Sequence, residues 1–123
     1  MNGITDIIDR YIAAWNETDR TQRHDHIAAA LHPTARYVDP LSDVAGHEGF
    51  DGMLSALRAQ YPGHVVRRSS AIEQHHDCVR FEWEIVDPDG AVYVTGVDYA
   101  QLADDGRLGS VTGFFGAAVA STT

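Results

Sequence analysis

The stretch that decides the fold is residues 78–102, CVRFEWEIVDPDGAVYVTGVDYAQL. From Cys78 to Val86, apolar side chains alternate with charged ones, which is the pattern of a β-strand with one buried face. The next four residues, Asp-Pro-Asp-Gly at 87–90, are typical of a tight turn. A second strand is expected from about Ala91 to Leu102, so the stretch predicts a β-hairpin.

Two further strands are expected to flank this hairpin. One runs from about His64 to Gln74 and reaches the hairpin through a turn at residues 75–77. The other runs from about Arg107 to Phe115, after the turn-forming residues 104–106. Together the four strands predict an antiparallel sheet in the second half of the chain.

Helical patterns fill most of the first half. Apolar residues recur at helical spacing from about Ile4 to Thr18. A second helix, with Thr21 as its N-cap, is expected to end near His32-Pro33. A third helix carries apolar residues from Phe50 to Tyr61. Three helices are therefore expected before the main part of the sheet.

A short strand from Arg36 to Asp39 is expected between the second and third helices, followed by a loop at residues 41–46. No repeat or linker divides the chain, so residues 1–123 are expected to form a single domain. Because helices precede strands, the fold class is α+β, with helices on one face of a largely antiparallel sheet.

Charge and composition narrow the possible partners. The formal net charge of −9 argues against nucleic acid, because a phosphate backbone requires a basic surface. No apolar run approaches the roughly 20 residues of a membrane span, and the N-terminal residues do not resemble a signal peptide. The single cysteine, Cys78, excludes an intrachain disulfide and suits a reducing compartment. We therefore expect a cytoplasmic protein that binds neither membrane nor nucleic acid.

Three polar residues, Tyr11, Asp39 and Asp98, are embedded in apolar sequence. An acid in the middle of a strand is costly to bury unless it is needed there. A phenol and two carboxyl groups in a dry cavity can transfer protons without a metal or a cofactor, and none is expected. Each residue also has a structural interpretation: Tyr11 as a core tyrosine, Asp39 as a turn residue, and Asp98 as an ionised, paired carboxylate.

The ionisation of Asp98 depends on Arg68. If Val66 and Ile72 mark the inward face of their strand, Arg68 points inward too, and an ion pair would keep Asp98 charged. If Arg68 faces solvent, burial should push Asp98 towards its neutral form. The sequence leaves both alternatives open.

Histidine spacing does not favour a metal site. Two histidines separated by one residue on a helix, His24 and His26, point to different faces. Adjacent strand residues, such as His75 and His76, point to opposite faces. No serine or cysteine lies in a recognisable nucleophile motif either, so acid–base chemistry is the reaction type that the sequence favours.

The order of these motifs resembles the NTF2-like superfamily, in particular SnoaL-like proteins and bacterial ketosteroid isomerases. The resemblance rests on RYIAAWN at residues 10–16, Val-Asp-Pro at 38–40, Gly-Val-Asp-Tyr at 96–99 and the glycine-containing strand at 106–116. It covers nearly the whole chain. It implies a cone-shaped fold in which a curved, mostly antiparallel sheet and three N-terminal helices enclose a pocket.

The resemblance also implies roles for the three polar residues. In ketosteroid isomerases, a helical tyrosine and a sheet aspartic acid donate hydrogen bonds to an oxyanion, and these correspond to Tyr11 and Asp98. An aspartate after the first strand, here Asp39, moves the proton. Leu54 stands where the isomerases have a second tyrosine. SnoaL-like polyketide cyclases use an acidic residue in the same pocket for an intramolecular aldol step.

The sequence hypothesis is therefore cofactor-independent acid–base catalysis, of isomerase or cyclase type, on a small apolar carbonyl compound. The residues expected to line the pocket are Trp15, Tyr37, Leu54, Arg68, Trp83 and Phe115. One alternative is a non-catalytic module for ligand binding or dimerisation. Another is an epoxide-type hydrolase with an Asp-Arg-Asp arrangement, of which Asp98 and Arg68 would supply part.

The outer face of the sheet predicts a partner of a different kind. If Asp98 faces the pocket, strand alternation places Val97 and Tyr99 on the opposite face, where Phe114 joins them. Charged residues of the neighbouring strand flank this apolar patch, which is the usual layout of a protein interface. We therefore expect a homodimer formed through the outer sheet face.

Overall fold

The fold is known from a computed structural model, which describes residues 3–116 and residue 121. The helices are α1 (Ile4–Asn16), α2 (Arg20–Ala30) and α3 (Gly46–Gln60). The strands are β1 (Leu31–Asp39), β2 (Ser42–Ala45), β3 (Val65–Arg68), β4 (Glu73–His75), β5 (Cys78–Val86), β6 (Val92–Leu102) and β7 (Leu108–Phe115).

The seven strands of the described residues form one mixed sheet. Its order is β2-β1-β7-β6-β5-β3, and β4 pairs with β5 beyond the end of β3. The pairing of β1 with β7 is parallel, and the other pairings are antiparallel. The α+β class, the three N-terminal helices and the mostly antiparallel sheet are thereby confirmed.

The core lies between the helices and the inner face of the sheet. Helix α1 buries the side chains of Ile7, Ile8, Tyr11 and Ala14, which recur at helical spacing. Strand β5 buries Val79, Phe81 and Trp83 in alternation, as its sequence predicts, and the alternation ends at the register shift between Ile85 and Val86. Two hydrogen bonds hold the C-terminal end of α1 to the sheet. The Asn16 side-chain amide donates to the Val66 carbonyl, and its oxygen accepts the Val66 backbone N–H, both at 2.8 Å.

Strand β1 differs from the prediction in length and in its neighbour. It begins at Leu31, immediately after α2, and it forms a hairpin with β2 where a loop was expected. The Asp39 carboxylate caps the intervening turn by accepting the Leu41 backbone N–H at 2.8 Å. Four residues at a sheet edge alternate too briefly for sequence periodicity to reveal a strand.

The expected strand from His64 to Gln74 is interrupted. Strands β3 and β4 pair with separate parts of β5, and residues 69–72 lie between them. At the break, the Ser70 hydroxyl accepts the Glu82 backbone N–H at 2.7 Å. A side-chain oxygen therefore takes the place of the carbonyl oxygen that a continuous neighbouring strand would offer.

The N-cap of α2 also differs from the prediction. Asp19 begins the helix by accepting the Gln22 backbone N–H at 2.9 Å, and Thr21 lies inside the first turn. Among residues 3–116, no helix is both long enough and apolar enough to cross a membrane.

Candidate active site

A mostly apolar cavity of about 110 Å³ lies between the inner face of the sheet and helices α1 and α3. Both aspartates and both phenols of the site reach it. Its walls are formed by Tyr11, Ile12, Trp15, Tyr37, Asp39, Leu41, Ser42, Met53, Leu57, Val66, Phe81, Trp83, Ile85, Asp98 and Phe115. Within the described part of the chain, no arginine or histidine lines it.

Asp98 lies in the middle of β6 and is only 3% exposed. The Tyr11 hydroxyl donates a hydrogen bond to its Oδ2 at 2.9 Å. The indole Nε1–H of Trp83 donates to its Oδ1 at 2.9 Å. Both carboxyl oxygens are therefore bonded, and both donors are uncharged at neutral pH.

Two glycines leave the space that this arrangement requires. Gly113 stands opposite Asp98 in the β6–β7 register, and a Cβ there would lie 2.9 Å from Asp98 Oδ1. Gly96 stands opposite Trp83, and a Cβ there would overlap the indole ring. The absence of side chains at these positions allows the carboxyl group and the indole to lie against the sheet.

A second phenol–carboxyl pair lies beside the first. The Tyr37 hydroxyl donates to Asp39 Oδ2 at 2.6 Å. A Cβ on Gly113 would lie 3.4 Å from the Asp39 Cβ and 3.5 Å from the Tyr37 hydroxyl. The two carboxyl groups therefore flank one glycine of β7.

The electrostatic environment sets Asp98 apart. Burial raises the pKa of Asp98 to about 6, and the negative charge of Asp39 acts in the same direction. The hydrogen bonds from Tyr11 and Trp83 oppose the rise in pKa because they stabilise the carboxylate. Asp98 can consequently gain or lose a proton near neutral pH.

The two phenols, unlike Asp98, keep their protons at neutral pH. Burial raises the pKa of Tyr11 well above its usual value, and the nearby charge of Asp98 adds to the effect. Burial, followed by the charge of Asp98 and the hydrogen bond to Asp39, also raises the pKa of Tyr37. Both hydroxyls therefore remain protonated at neutral pH and can serve as hydrogen-bond donors.

Most of the residues selected from sequence lie around this cavity. The structure brings Tyr11, Asp39 and Asp98 together at the cavity. Of the six residues expected to line the pocket, four do so: Trp15, Tyr37, Trp83 and Phe115.

The prediction that Leu54 and Arg68 line the pocket is wrong. Leu54 is fully buried in the core, and α3 lines the cavity with Met53 and Leu57 instead. Arg68 ends the edge strand β3 on the same face as Trp83, yet it is exposed, since the charge stays hydrated at the sheet margin. Its guanidinium donates to the Ser70 carbonyl, so Asp98 has no arginine partner in the described chain.

Sequence reasoning left several lining residues unassigned. Phe81 and Ile85 follow the inward alternation of β5, and Met53 and Leu57 follow the apolar side of α3, so periodicity could have identified them. Leu41 comes from the β1–β2 turn, where no periodic signal exists.

A second buried polar cluster was also missed. Arg23 of α2 donates to Asp51 of α3 at 2.7 Å, and the two residues are 3% and 4% exposed. Burial alone would raise the pKa of Asp51, but Arg23, with help from His24 and Arg20, lowers it below its usual value. The position of Arg23 on the apolar side of α2, four residues before Ile27, was the available signal.

Among residues 3–116 and 121, no cluster of three histidine, cysteine or acidic side chains could hold a metal ion.

The fold and the site define a class of protein: a small α+β domain with an apolar, acid-bearing cavity beneath its sheet. Comparison with known families assigns it further, since residues 8–110 match the SnoaL-like domain. The chain therefore belongs to the SnoaL-like family.

Solved structures support this membership. A candidate isomerase of the SnoaL-like family from Agrobacterium tumefaciens is 34% identical, with a TM-score of 0.87 over 92% of this chain and 97% of that one. An NTF2-like protein of unknown function from Exiguobacterium is 17% identical, with a TM-score of 0.72 over 91% and 99% of the two chains. A candidate SnoaL-like polyketide cyclase from Jannaschia is 18% identical, with a TM-score of 0.66 over 94% and 90%. The last two show the NTF2-like fold alone. No match was found among curated proteins.

Proposed function

We propose that the protein is a cofactor-independent acid–base catalyst that moves a proton on a small, neutral carbonyl compound. The observation that carries this proposal is Asp98, a buried carboxyl group held by two uncharged donors in an apolar cavity. A pKa of about 6 lets it act as a base near neutral pH and return the proton afterwards.

The reaction begins at the carbon next to the carbonyl group. The C–H bond breaks, the proton passes to the Asp98 carboxylate, and the bonding pair enters the enolate. The Tyr11 hydroxyl stabilises the enolate oxygen by a hydrogen bond. In an isomerase, Asp98 returns the proton to another carbon. In a cyclase, the enolate carbon attacks a second carbonyl group, and the proton passes to the alkoxide that results.

This assignment differs from the one that the family resemblance implies, in which Asp39 moves the proton and neutral Asp98 is a donor. Tyr11 and Trp83 both donate to Asp98, which favours its carboxylate form. Asp39 accepts from Tyr37 and from the Leu41 backbone, and its charge helps to raise the pKa of Asp98. We therefore assign proton transfer to Asp98 and a supporting electrostatic role to Asp39.

Cavity size and charge favour a small neutral substrate. An apolar cavity of about 150 Å³ holds one benzene molecule. The cavity of about 110 Å³ therefore suits a ligand with roughly one ring, and a larger ligand would not fit within it. Two carboxyl groups without a lining cation disfavour an anion.

The similarity to the candidate isomerase agrees with this reaction class. The hydrolase alternative is less favoured because the cation that it requires, Arg68, is exposed and bonded elsewhere. A non-catalytic binding module would use the same cavity without transferring a proton, and the experiment below separates the two.

The test is exchange of the α-hydrogens of cyclohexanone and related ketones in D2O, followed by proton NMR. The wild type should accelerate exchange, Asp98→Asn should lower the rate at least about 100-fold, and Tyr11→Phe should lower it about 10-fold or more. Asp104→Asn, in an exposed turn, is the matched control and should retain the wild-type rate.

The pH profile separates the two roles of Asp98. A base must be ionised, so the exchange rate should rise to a plateau above pH of about 6. A rate that falls above that pH would assign Asp98 the neutral donor role. Ketones that bind without any exchange would indicate the binding-module alternative.

We also propose that two copies of the chain pair through the outer sheet face. Tyr99 and Phe114 are 44% and 56% exposed there, with ring centroids 6.1 Å apart. The ion pair between Arg80 and Glu73 lies at the flank of this patch. The wild type should elute as a dimer, and Val97→Glu combined with Tyr99→Glu should yield monomer or aggregate. A wild type that stays monomeric at high micromolar concentration in light scattering contradicts this pairing.

A further inference from the structure

The two oxygens of the Asp98 carboxyl group have different surroundings. Oδ1 accepts the Trp83 indole N–H at 2.9 Å, and it lies against the backbone of Gly113. Oδ2 accepts the Tyr11 hydroxyl at 2.9 Å. One oxygen is therefore enclosed by an indole and a strand, whereas the other faces a phenol.

The two donors also differ in their chemistry. An indole N–H can only donate, whereas a phenol both donates and accepts. A proton on Oδ1 would face the indole hydrogen of Trp83 and replace a hydrogen bond by a repulsive contact. A proton on Oδ2 can be donated to the Tyr11 oxygen once the phenol O–H rotates away.

We propose that Trp83 is a positioning residue that confines the proton of neutral Asp98 to Oδ2. The inference rests on the proposed function, because it concerns the carboxyl group to which proton transfer is assigned there. While Asp98 is ionised, Tyr11 donates to Oδ2. Once Asp98 holds the proton, Oδ2–H donates to Tyr11, and the phenol hydrogen turns into the cavity. Transfer of a proton to Asp98 thereby frees the Tyr11 hydrogen when the enolate oxygen becomes negative.

The fold fixes the indole in the orientation that this role requires. Trp83 lies directly opposite Gly96 in the β5–β6 pairing, and any side chain at Gly96 would displace the ring. Phe115 contacts the indole edge-on, with centroids 6.0 Å apart and an interplanar angle of 86°. The Trp83 side chain is only 7% exposed. The indole N–H is therefore held towards Asp98.

Few titratable groups face Asp98. Helix α1 contributes Tyr11, and β1 contributes Tyr37 and Asp39. Strands β5 and β7 contribute Trp83 and Gly113, which do not titrate. The charge of Asp39 is present in the wild type and in variants of Trp83 alike, so a comparison between them isolates the indole N–H.

The first test is a pH titration of the Asp98 carboxyl carbon by carbon-13 NMR in the wild type and in Trp83→Phe. Loss of one donor to the carboxylate should raise the pKa of Asp98 from about 6 to about 7. The acid limb of the exchange profile should move by the same amount, so the rate at pH of about 6 should fall roughly fivefold. A variant that only loosened the packing would lower the rate at all pH values without moving the limb.

Trp15→Phe is the matched control, because it removes an indole from the same cavity and leaves both donors on Asp98. The pKa of Asp98 should stay near 6 in that variant. An unchanged Asp98 pKa in folded Trp83→Phe would overturn the proposal.

A second test uses the wild type alone, and it decides the question even if Trp83→Phe does not fold. The indole N–H resonance of Trp83 should shift with pH, with a midpoint of about 6. A resonance that does not change through this range would also overturn the proposal. Neither NMR readout needs a substrate, so normal titration without ketone exchange would contradict the proposed function but not the role of Trp83.

Discussion

Asp51 and Asp98 are both buried carboxyl groups, 4% and 3% exposed, but they have opposite surroundings. Asp51 lies 2.7 Å from the Arg23 guanidinium, with Arg20 at 3.6 Å and His24 at 3.4 Å. Among the described residues, Asp98 accepts side-chain hydrogen bonds from two neutral groups only. The pKa of Asp51 is lowered, whereas that of Asp98 is raised to about 6.

The comparison shows that burial alone does not identify a chemical site. Burial disfavours the charged form of both carboxyl groups, and the presence of a cation decides the outcome. Asp51 has a fixed charge that holds α2 to α3, as expected of a structural ion pair. Asp98 can change its protonation state near neutral pH, as a group that transfers protons must.

The largest expected contrast comes from the same substitution at both positions. Asp51→Asn leaves Arg23 buried without its counter-ion, so the free energy of unfolding should fall by about 3 kcal/mol. Asp98→Asn removes a poorly solvated charge, so the free energy of unfolding at pH 7.5 should stay the same or rise. Urea unfolding measures both. Equal destabilisation by the two variants would contradict the different roles of the Asp51 and Asp98 carboxyl groups.

A smaller contrast is expected in the pH dependence of stability. Because folding raises the pKa of Asp98 from its ordinary value near 4 to about 6, its contribution to stability is complete below pH of about 4 and is lost as pH rises to about 6. Between pH 4.5 and 7.5 this loss amounts to about 2 kcal/mol. Asp51 has a lowered pKa, so its contribution is present above pH of about 4 and is lost below it.

The measurement is the free energy of unfolding of the wild type and of Asp98→Asn at pH 4.5 and 7.5. The difference between the two proteins should change by about 2 kcal/mol across this interval, in favour of the variant at the higher pH. A constant difference would show that Asp98 titrates at its ordinary pKa.

The last contrast concerns the glycine that admits Trp83. Gly96→Ala should lower the free energy of unfolding by about 1–3 kcal/mol, since the new Cβ would overlap the indole and lie 2.6 Å from the Phe114 carbonyl oxygen. Gly52→Ala, at an exposed position of α3, meets nothing within 4 Å and should stabilise the protein by about 0.5–1 kcal/mol. Chemical denaturation tests both. If Gly96→Ala proved as harmless as its control, the close packing of Trp83 would be refuted.

Sequence alone predicted most elements of the sheet. Strand β5 was expected from Cys78 to Val86 and has those bounds in the structure, while β6 and β7 each begin one residue later than expected. These strands are eight residues or longer, which is long enough for a strand pattern to be recognised in the sequence. The edge elements were harder to predict. Strand β2 has four residues, and Arg68 follows the inward alternation of β3 yet is exposed to solvent.

The sequence by itself determined which face of β5 is buried, and it placed Asp98 on the opposite face of its strand from Val97 and Tyr99. The periodicity of apolar residues reveals the buried face because successive side chains of a strand point to opposite faces and apolar side chains are removed from water. Only the tertiary structure decided which groups meet Asp98. Tyr11 is 87 residues away in the chain and Trp83 is 15 residues away, and their contact depends on how α1 and β5 pack around Gly96 and Gly113. The presence or absence of a cation beside a buried acid follows from packing between distant segments, and no local pattern records it.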